Sequence, residues 1–427
     1  MNKTKIKYFA IALILLCCLM GAASAADDVS TDIVDASADD AVDSISESSY
    51  EVLEEEDNGN EVLSGNPATA STWTQLHDAC ESTSDQEITL SDNITIGTND
   101  ISINNNAVII GNENVYITGN ANGRIPFQCG NLALDITFEN VTFKDISSTM
   151  LIKVQNSGVT TLKGCTFINV NASNSGQNSV IYNNNGIMNI ENCTFENCNA
   201  AFGAITNHKA GSTNGVTLNV YNSTFNNNSG NAPGVINNCG QMTVYNSVFN
   251  DNSANQWGGA IHTHSGATST IRNSAFNGNV AGWNGGALYA YGTLIIYDSN
   301  FTDNNCSTNN GGGAIGASNY FMSQYNVYVE NCRFVDNNNL CYLFDENSTE
   351  TLGRGGAISV LNGGNLTVYD STFIHNGAQI GQAICGYNTN YYTNISTGNY
   401  VLDIEDNEFI NHTITTNDTV YFVEDVL

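Results

Sequence analysis

Two neighbouring stretches of the sequence decide the fold. Residues 244–264 read VYNSVFNDNSANQWGGAIHTH, and residues 271–291 read IRNSAFNGNVAGWNGGALYAY. They align without a gap, because an apolar-x-Asn-Ser-x-Phe-x-x-Asn pattern and a later Gly-Gly-Ala pattern recur at the same offsets. Self-similarity at a fixed period is the sequence signature of a repeat architecture, so we traced this unit through the whole chain.

The Phe pattern extends in both directions from these two copies. The gaps between successive motif phenylalanines are 24, 28, 30, 24, 27, 25, 33, 39 and 36 residues. The phenylalanines are Phe143, Phe167, Phe195, Phe225, Phe249, Phe276, Phe301, Phe334, Phe373 and Phe409. The Gly-Gly-Ala pattern keeps step with them and begins at Gly258, Gly285, Gly312 and Gly355.

Each unit contains two or three short runs of alternating polarity that are separated by Gly and Asn. Period-two alternation indicates strands, and Gly and Asn clusters indicate turns. The chain has only three prolines and no long helical periodicity. The sequence therefore predicts an all-β protein: a right-handed, single-stranded parallel β-helix, or β-solenoid, with coils of about 24 to 30 residues.

Stacking of equivalent positions explains the residue choices. Inward Ile, Val and Phe are expected to form columns, and a turn Asn is expected to bond its amide to the same amide one coil away. We expect the Asn that precedes each motif Ser, such as Asn222, to point inward and to carry no sugar. Asn-x-Ser/Thr sequences are frequent, and exposed ones are expected to be glycosylated.

The N-terminus predicts export. Three lysines, an apolar run and a small-residue site form a signal peptide over residues 1–25. Residues 26–70 carry 14 acidic and no basic residues, which predicts a disordered acidic linker. The β-helix repeat domain is then expected over residues 71–427, and the mature chain has no apolar segment long enough to span a membrane.

The charge excludes some classes of partner. The whole chain has a formal net charge of −31. Such a surface disfavours nucleic acid and anionic membranes, so neither is predicted as a partner.

The repeat resembles a known family. Gly-Gly-Ala-Ile together with Phe-x-x-Asn is similar to the repeats of polymorphic outer-membrane proteins, and the ensemble looks still more like the adhesin-like proteins of methanogenic archaea. The start of the domain, Thr74–Cys80 followed by short strands from Ile88, looks like the helix-capped start of that family. The resemblance implies a parallel β-helix, a surface location and a role in attachment.

An aromatic stripe follows the Gly-Gly-Ala turn. Alternation puts Ile261 inward, so His262 and His264 are expected to point outward. Aromatic rings with polar edges suit the faces of sugars, and an exposed aromatic patch indicates an interaction site. The alternative is that the rings pack against one another or lie under a loop. The predicted ligand-binding residues are Trp257, His262, His264, Trp283, Tyr289, Tyr291 and His208.

Metal binding was considered on the same stripe. His208, Cys239 and His264 fall on successive coils and include transition-metal ligand types. No CxxC or HExxH spacing accompanies them, so we predict neither a metal nor a cofactor.

Catalysis was also considered. Asp298, Asp303, Asp336 and Asp370 lie near corresponding places in different coils and could form a hydrolase-type carboxylate cluster. Asp replacing Asn at turns would give the same pattern, and the basic residues that a lyase needs are scattered. We therefore predict no catalytic residues.

Cysteine usage leaves two interpretations open. Cys165 and Cys193 occupy one motif position on adjacent coils, where a disulfide is feasible. Ser fills this position elsewhere, which favours a small buried ladder residue instead.

The sequence thus predicts a secreted or cell-surface, adhesin-like protein that binds carbohydrate or another cell's surface through its lateral faces. A carbohydrate-active enzyme of the β-helix fold and a structural surface-layer component are the alternatives. The latter would self-associate through open coil ends, since unpaired strand edges are exposed there.

Overall fold

The computed structural model describes residues 67–423 apart from 131, 156, 173–175, 177, 209–214, 309–310, 319–324, 341–352, 362–363, 388–401 and 411–419. The predicted signal peptide and most of the predicted acidic linker lie outside these residues. Strand Ala68–Ala70 already pairs with Ile88–Leu90, so the β-helix begins before the predicted boundary at residue 71.

The described strands form three parallel sheets, through which the chain passes in the order sheet 1, sheet 2, sheet 3. Sheet 1 has 13 strands: Ala68–Ala70, Gln86–Leu90, Ala107–Ile110, Asp135–Glu139, Val159–Lys163, Ile187–Glu191, Thr217–Tyr221, Gln241–Tyr245, Thr268–Arg272, Thr293–Tyr297, Asn326–Glu330, Asn365–Tyr369 and Leu402–Glu405. Sheet 3 has 12 strands: Ile101–Ile103, Phe127–Cys129, Ile152–Val154, Ile181–Asn183, Ile205–Asn207, Ile236–Asn238, Ile261–Thr263, Leu288–Ala290, Ile315–Ser318, Ile358–Leu361, Ile384–Tyr387 and Val420–Val423.

Sheet 2 consists mostly of shorter strands, because a turn divides six of its twelve described passes into two segments. Its strands are Ile94–Thr95, Tyr116–Asn120, Thr142–Ser148, Thr166–Ala172, Thr194–Glu196, Asn199–Ala200, Thr224–Asn226, Ser229–Gly230, Val248–Asn250, Ser253–Ala254, Ala275–Asn277, Val280–Ala281, Asn300–Thr302, Asn305–Cys306, Arg333–Val335, Asn338–Asn339, Thr372–Ile374 and Glu408–Ile410. This architecture is a parallel β-helix, which confirms the predicted fold class.

One helix, α1 (Trp73–Cys80), lies at the start of the domain. Its side chains at Trp73, Leu76 and Cys80 are buried, which is the spacing of one helical face. The Trp73 ring meets the Phe127 ring edge-on at 5.5 Å between centroids. The helix contacts the first strands of sheets 1 and 3, so it covers the apolar interior there.

The motif phenylalanines form one continuous stack inside the helix. From Phe143 to Phe409, successive ring centroids are 4.4 to 5.1 Å apart and the ring planes differ by no more than 17°. Burying one such side chain contributes about 2 to 3 kcal/mol, so the column supplies much of the apolar stabilisation.

A ladder of buried asparagines runs beside the phenylalanines. In each coil the Asn Nδ2 donates to the Oδ1 of the next ladder Asn at 2.9 to 3.0 Å and to a Phe carbonyl at 2.8 to 3.0 Å. The Oδ1 also accepts the backbone N–H of the preceding ladder residue. The members are Asn228, Asn252, Asn279, Asn304, Asn337 and Asn376. The predicted amide ladder is thereby confirmed.

The Ser/Cys motif position forms a second buried column. Ser223 N–H donates to Ser247 Oγ, and the pattern repeats at Ser247 and Ser274. Cys165 and Cys193 are free thiols in this column, and the Cys193 thiol lies 3.3 Å from the Leu162 carbonyl oxygen. The structure therefore favours the ladder interpretation over a disulfide.

The expectation for Asn222 was wrong. The residue before the motif Ser is exposed and has a positive φ, with values of 49° at Asn222 and 50° at Asn246 and Asp298. Asn and Asp tolerate this left-handed conformation better than other non-Gly residues, which explains their choice at this turn. The sequon at Asn222 is consequently accessible.

No helix among the described residues is long and apolar enough to cross a membrane. The predicted open C-terminal coil ends in residues 424–427, outside the described part, so self-association stays a prediction.

The amide ladder predicts that Asn279→Leu strongly destabilises the folded protein. The substitution roughly keeps the volume but leaves the Asn252 N–H and the Phe249 carbonyl without their side-chain partner, and Asn252 Nδ2 loses one of its two acceptors. We expect the free energy of unfolding in urea to fall by about 3 kcal/mol. Asn277→Ala, at a half-buried outer position of the same coil, should cost less than 1 kcal/mol. Equal losses would contradict the ladder's role.

The buried positions of the cysteines also predict that their thiols are unreactive. Burial raises the pKa of Cys198 and Cys332 to about 12, so both remain protonated at pH 8.5. We expect iodoacetamide to label the native protein far more slowly than a cysteine peptide, and to label Cys165 and Cys193 fully after denaturation without reductant. A disulfide-linked peptide containing both residues would contradict this result.

Candidate functional site

The glycine turns before the sheet 3 strands Ile261–Thr263 and Leu288–Ala290 fold back onto those strands. Gly258 and Gly285 adopt φ values of 61° and 66°, and a Cβ at either would clash with the carbonyl of the strand residue three positions later. Only glycine combines this φ with such close approach. The turn thereby places Trp257 over His262, with 5.6 Å between ring centroids.

The predicted stripe residues of two adjacent coils come together as one group, which we call the aromatic cluster. Ring centroids are 4.1 Å apart for His262 and His264 and 5.5 Å apart for His262 and Tyr289. Trp257 meets Trp283 edge-on at 5.4 Å. The cluster consists of Trp257, His262, His264, Trp283, Tyr289 and Tyr291. His208 lies two coils away in the same column, against Tyr182 at 5.5 Å.

The expected exposure of three of these residues was wrong. His262 and Tyr289 are each 1% exposed, and Tyr291 is 8% exposed. They point to the outer side of sheet 3, but the folded-back turn and the neighbouring rings cover them. Trp257, Trp283, His264 and His208 are half-buried. The cluster therefore has a buried floor and a partly accessible rim. The alternative given above, in which the rings pack against one another, accounts for the floor.

Hydrogen bonds hold one polar atom of His264 and the hydroxyl of Tyr289. His264 Nε2 lies 2.8 Å from Asn237 Oδ1, and Tyr289 Oη lies 2.5 Å from Ser318 Oγ. His262 Nε2 is the exception, because it is buried without a hydrogen-bond partner among the described residues. A buried polar atom without a partner costs about 1 to 3 kcal/mol, so His262 is under-satisfied within the chain.

The cluster is uncharged at neutral pH. Burial, assisted by the neighbouring His264, holds the pKa of His262 well below its usual range. Burial, assisted by His208, lowers the pKa of His264 to about 4. The site therefore offers aromatic faces and neutral imidazoles, which can stack and exchange hydrogen bonds but carry no ionic charge.

The metal alternative gains no support. Among the described residues, no group of three or more His, Cys, Asp or Glu side chains is arranged to hold a metal ion. Burial raises the pKa of the Cys239 thiol to about 12, which disfavours the thiolate that a metal would require.

The four candidate catalytic aspartates occupy turns. Asp298, Asp303, Asp336 and Asp370 all have φ between 46° and 55°, like the asparagines of the same columns. Asp298 accepts a hydrogen bond from Asn331 Nδ2 at 2.6 Å. These contacts give the aspartates a structural role at left-handed turns.

Sequence analysis missed a second aromatic feature, on the outer face of sheet 1. Its members, called the tyrosine row, are Tyr221, Tyr245, Tyr297, Tyr328 and Tyr369. Four of them follow the apolar residue of the Phe motif, so the recurrent Val/Ile-Tyr-Asn/Asp-Ser sequence was the available signal.

Comparison with known proteins identifies no family. No protein-family model matches the chain, and no curated protein is similar to it in sequence. A solved structure described as a PL6 family alginate lyase, AlyGC, is similar over 84% of this chain and 53% of its own, with 13% identity and a TM-score of 0.38. The chain thus spans about half the length of that lyase, and a likeness at this level carries no argument about activity. The resemblance to archaeal adhesin-like proteins stays a prediction.

The buried histidines predict a specific pH dependence of stability. His264 has a pKa of about 4 in the folded protein against an ordinary value of 6.5. Below pH 6.5 the unfolded chain binds a proton at this position that the folded chain does not, so stability is lost as the pH falls from about 6.5 to 4. We expect the urea midpoint to fall less between pH 7.5 and 4.5 in His264→Gln than in the wild type.

The matched control is Asn277→Ala, which alters a half-buried residue without a titratable group. Its pH dependence should follow the wild type. If His264→Gln also follows the wild type, the histidine does not titrate as described.

Proposed function

We propose that this protein is exported and displayed at the cell surface, where its β-helix acts as an adhesin-like module that binds carbohydrate. The aromatic cluster on sheet 3 is the proposed binding site. The observation that carries the proposal is the pair Trp257 and Trp283, half-buried and in edge-to-face contact on adjacent coils. The third tryptophan, Trp73, is buried in the core, so the other two are set apart by their position.

The rim of the cluster suits the apolar face of a sugar ring. Indole rings supply a large flat surface at small conformational cost, and their N–H groups remain available for hydrogen bonds. The floor holds the rim in place, since His262 and Tyr289 are packed beneath Trp257. A preorganised surface of this kind loses little entropy when a ligand binds.

Beneath the apolar rim, His262 Nε2 is a buried polar atom without a hydrogen-bond partner among the described residues. A sugar hydroxyl that reached this nitrogen would satisfy it, so binding would remove a cost that the free protein bears. Because the imidazole is neutral, one of its nitrogens can accept and the other can donate.

Export rests on the sequence of the first 25 residues, and the acidic stretch over residues 26–70 would serve as a solvated spacer between the β-helix and the cell. A lateral face held away from the cell in this way can meet glycans on a neighbouring surface.

The test measures both binding and cleavage. The purified protein is incubated with plant, microbial-wall and mucin glycans, and bound glycan, new reducing ends and unsaturated products are quantified. We expect intact glycan to be retained, and Trp257→Ala and Trp283→Ala each to weaken binding about tenfold through lost stacking.

Ile187→Ala is the matched control, because it removes an exposed apolar side chain from sheet 1. This variant should bind like the wild type, and all variants should retain the wild-type thermal midpoint within a few degrees. Full retention of binding in both tryptophan variants would refute the site. Release of reducing ends or unsaturated products would instead identify a glycan-cleaving enzyme.

A further inference from the structure

The outer face of sheet 1 carries a second site, separate from the aromatic cluster. The last outward residue of six consecutive strands lies in one column, because the strands pair in strict register. That column reads Tyr221, Tyr245, Arg272, Tyr297, Glu330 and Tyr369, and Tyr328 stands beside Glu330 in the neighbouring outward column.

Contacts between adjacent coils join the side chains from Arg272 to Tyr369. The guanidinium carbon of Arg272 lies 3.8 Å from the centre of the Tyr297 ring. The Tyr297 and Tyr328 ring centroids are 5.5 Å apart, and those of Tyr328 and Tyr369 are 6.2 Å apart. Side chains that pack on their neighbours in this way form a preformed surface.

Hydrogen bonds orient the two rings at the C-terminal end of the row. Tyr328 Oη donates to Glu330 Oε2 at 2.6 Å, and Tyr369 Oη donates to Asp403. The hydroxyl groups of both rings are therefore hydrogen-bonded to carboxylates on the same face.

The row is accessible, unlike the floor of the aromatic cluster. Tyr245 is 39% exposed, and Tyr221, Tyr297, Tyr328 and Tyr369 are each half-buried. The other outward residues of these six strands are mainly Thr and Asn, so the partly exposed tyrosines form a distinct patch, and such patches mark interaction sites.

The charge of this face restricts its ligand. The first, third and fifth residues of the six strands from Thr217–Tyr221 to Asn365–Tyr369 point outward. Among them only Arg272 and Glu330 are charged, and their charges are opposite. The outward positions of these six strands are thus neutral in sum although the chain carries −31, and the Asp403 carboxylate borders them, so nothing there would offset the repulsion of a polyanion. A neutral ligand is the complementary one.

The spacing of the face restricts the shape of the ligand. Neighbouring parallel strands lie about 4.8 Å apart, so equivalent side chains recur at that interval along the axis. One pyranose unit of an extended polysaccharide has nearly the same length. A chain that lay along the axis would therefore present one sugar to each coil.

We propose that the tyrosine row binds an extended, uncharged polysaccharide lying parallel to the axis of the β-helix, with one sugar over each coil. Tyrosine faces stack on the sugars, while Arg272 and the Thr and Asn side chains of the same strands exchange hydrogen bonds with their hydroxyls. The site spans the six coils from Tyr221 to Tyr369.

Calorimetric titration of the full protein with cello-, manno- and chito-oligosaccharides of two to eight sugars tests the proposal. At least one series should bind, with affinity rising up to about six sugars and then levelling, since six coils carry the row. Tyr245→Ala and Tyr297→Ala should each weaken hexasaccharide binding about tenfold. Tyr245→Phe keeps the ring and should remain within about twofold of the wild type.

Two control variants distinguish loss of this site from a general effect of substitution on binding. Val280→Ala removes an exposed apolar side chain from sheet 2, and Ile187→Ala removes one from a sheet 1 strand outside the six coils, so both should leave hexasaccharide binding unchanged. The proposal is overturned if no neutral series binds or if affinity does not depend on length. It is also overturned if the Tyr→Ala variants bind like the wild type, or if polygalacturonate competes more strongly than the neutral oligomers.

Discussion

The buried amide ladder is the interaction on which the rest of the structure depends. Each ladder asparagine bonds to the next asparagine, to a backbone N–H and to a phenylalanine carbonyl, so a turn that would otherwise bury unpaired polar groups is satisfied by its own repeat. Because these bonds have one geometry, they also fix the register between coils. The phenylalanine stack, the serine and cysteine column and the outward side chains of all three sheets follow from that register.

The two aromatic features differ in how the chain covers them. On sheet 3 the glycine turn folds onto the strand, and His262 and Tyr289 become packing residues beneath a tryptophan rim. On sheet 1 the connection to sheet 2 is a tight left-handed turn that leaves the strand open, so the tyrosines stay accessible. Turn geometry, and not residue type, therefore decides which aromatic side chains can meet a ligand.

Much of the fold was predictable because its determinants are periodic. The spacing of Phe249 and Phe276, of Asn252 and Asn279, and of the Gly-Gly turns defines stacked coils without any tertiary information. Alternation also assigned His262 to the outer side of its sheet, but it could not show that a preceding turn returns over that side. Asn222 was misassigned because two asparagines flank the motif and only one is buried. Tyr328 was missed because its coil departs from the Val-Tyr pattern. The two coils differ in length, so its position beside Tyr297 is visible only when the register of their strands is known.

Strict register has an evolutionary consequence. Because each coil bonds only to its neighbours through the same set of contacts, one coil can be duplicated or deleted without changing the geometry of those that remain. Successive motif phenylalanines are 24 to 39 residues apart while the described strands keep one register, so the length of a coil can vary without shifting the columns. Gene duplication within such a protein would lengthen the rod in uniform steps and extend every column on its surface by one member. Selection can therefore adjust the length of the β-helix by one coil at a time.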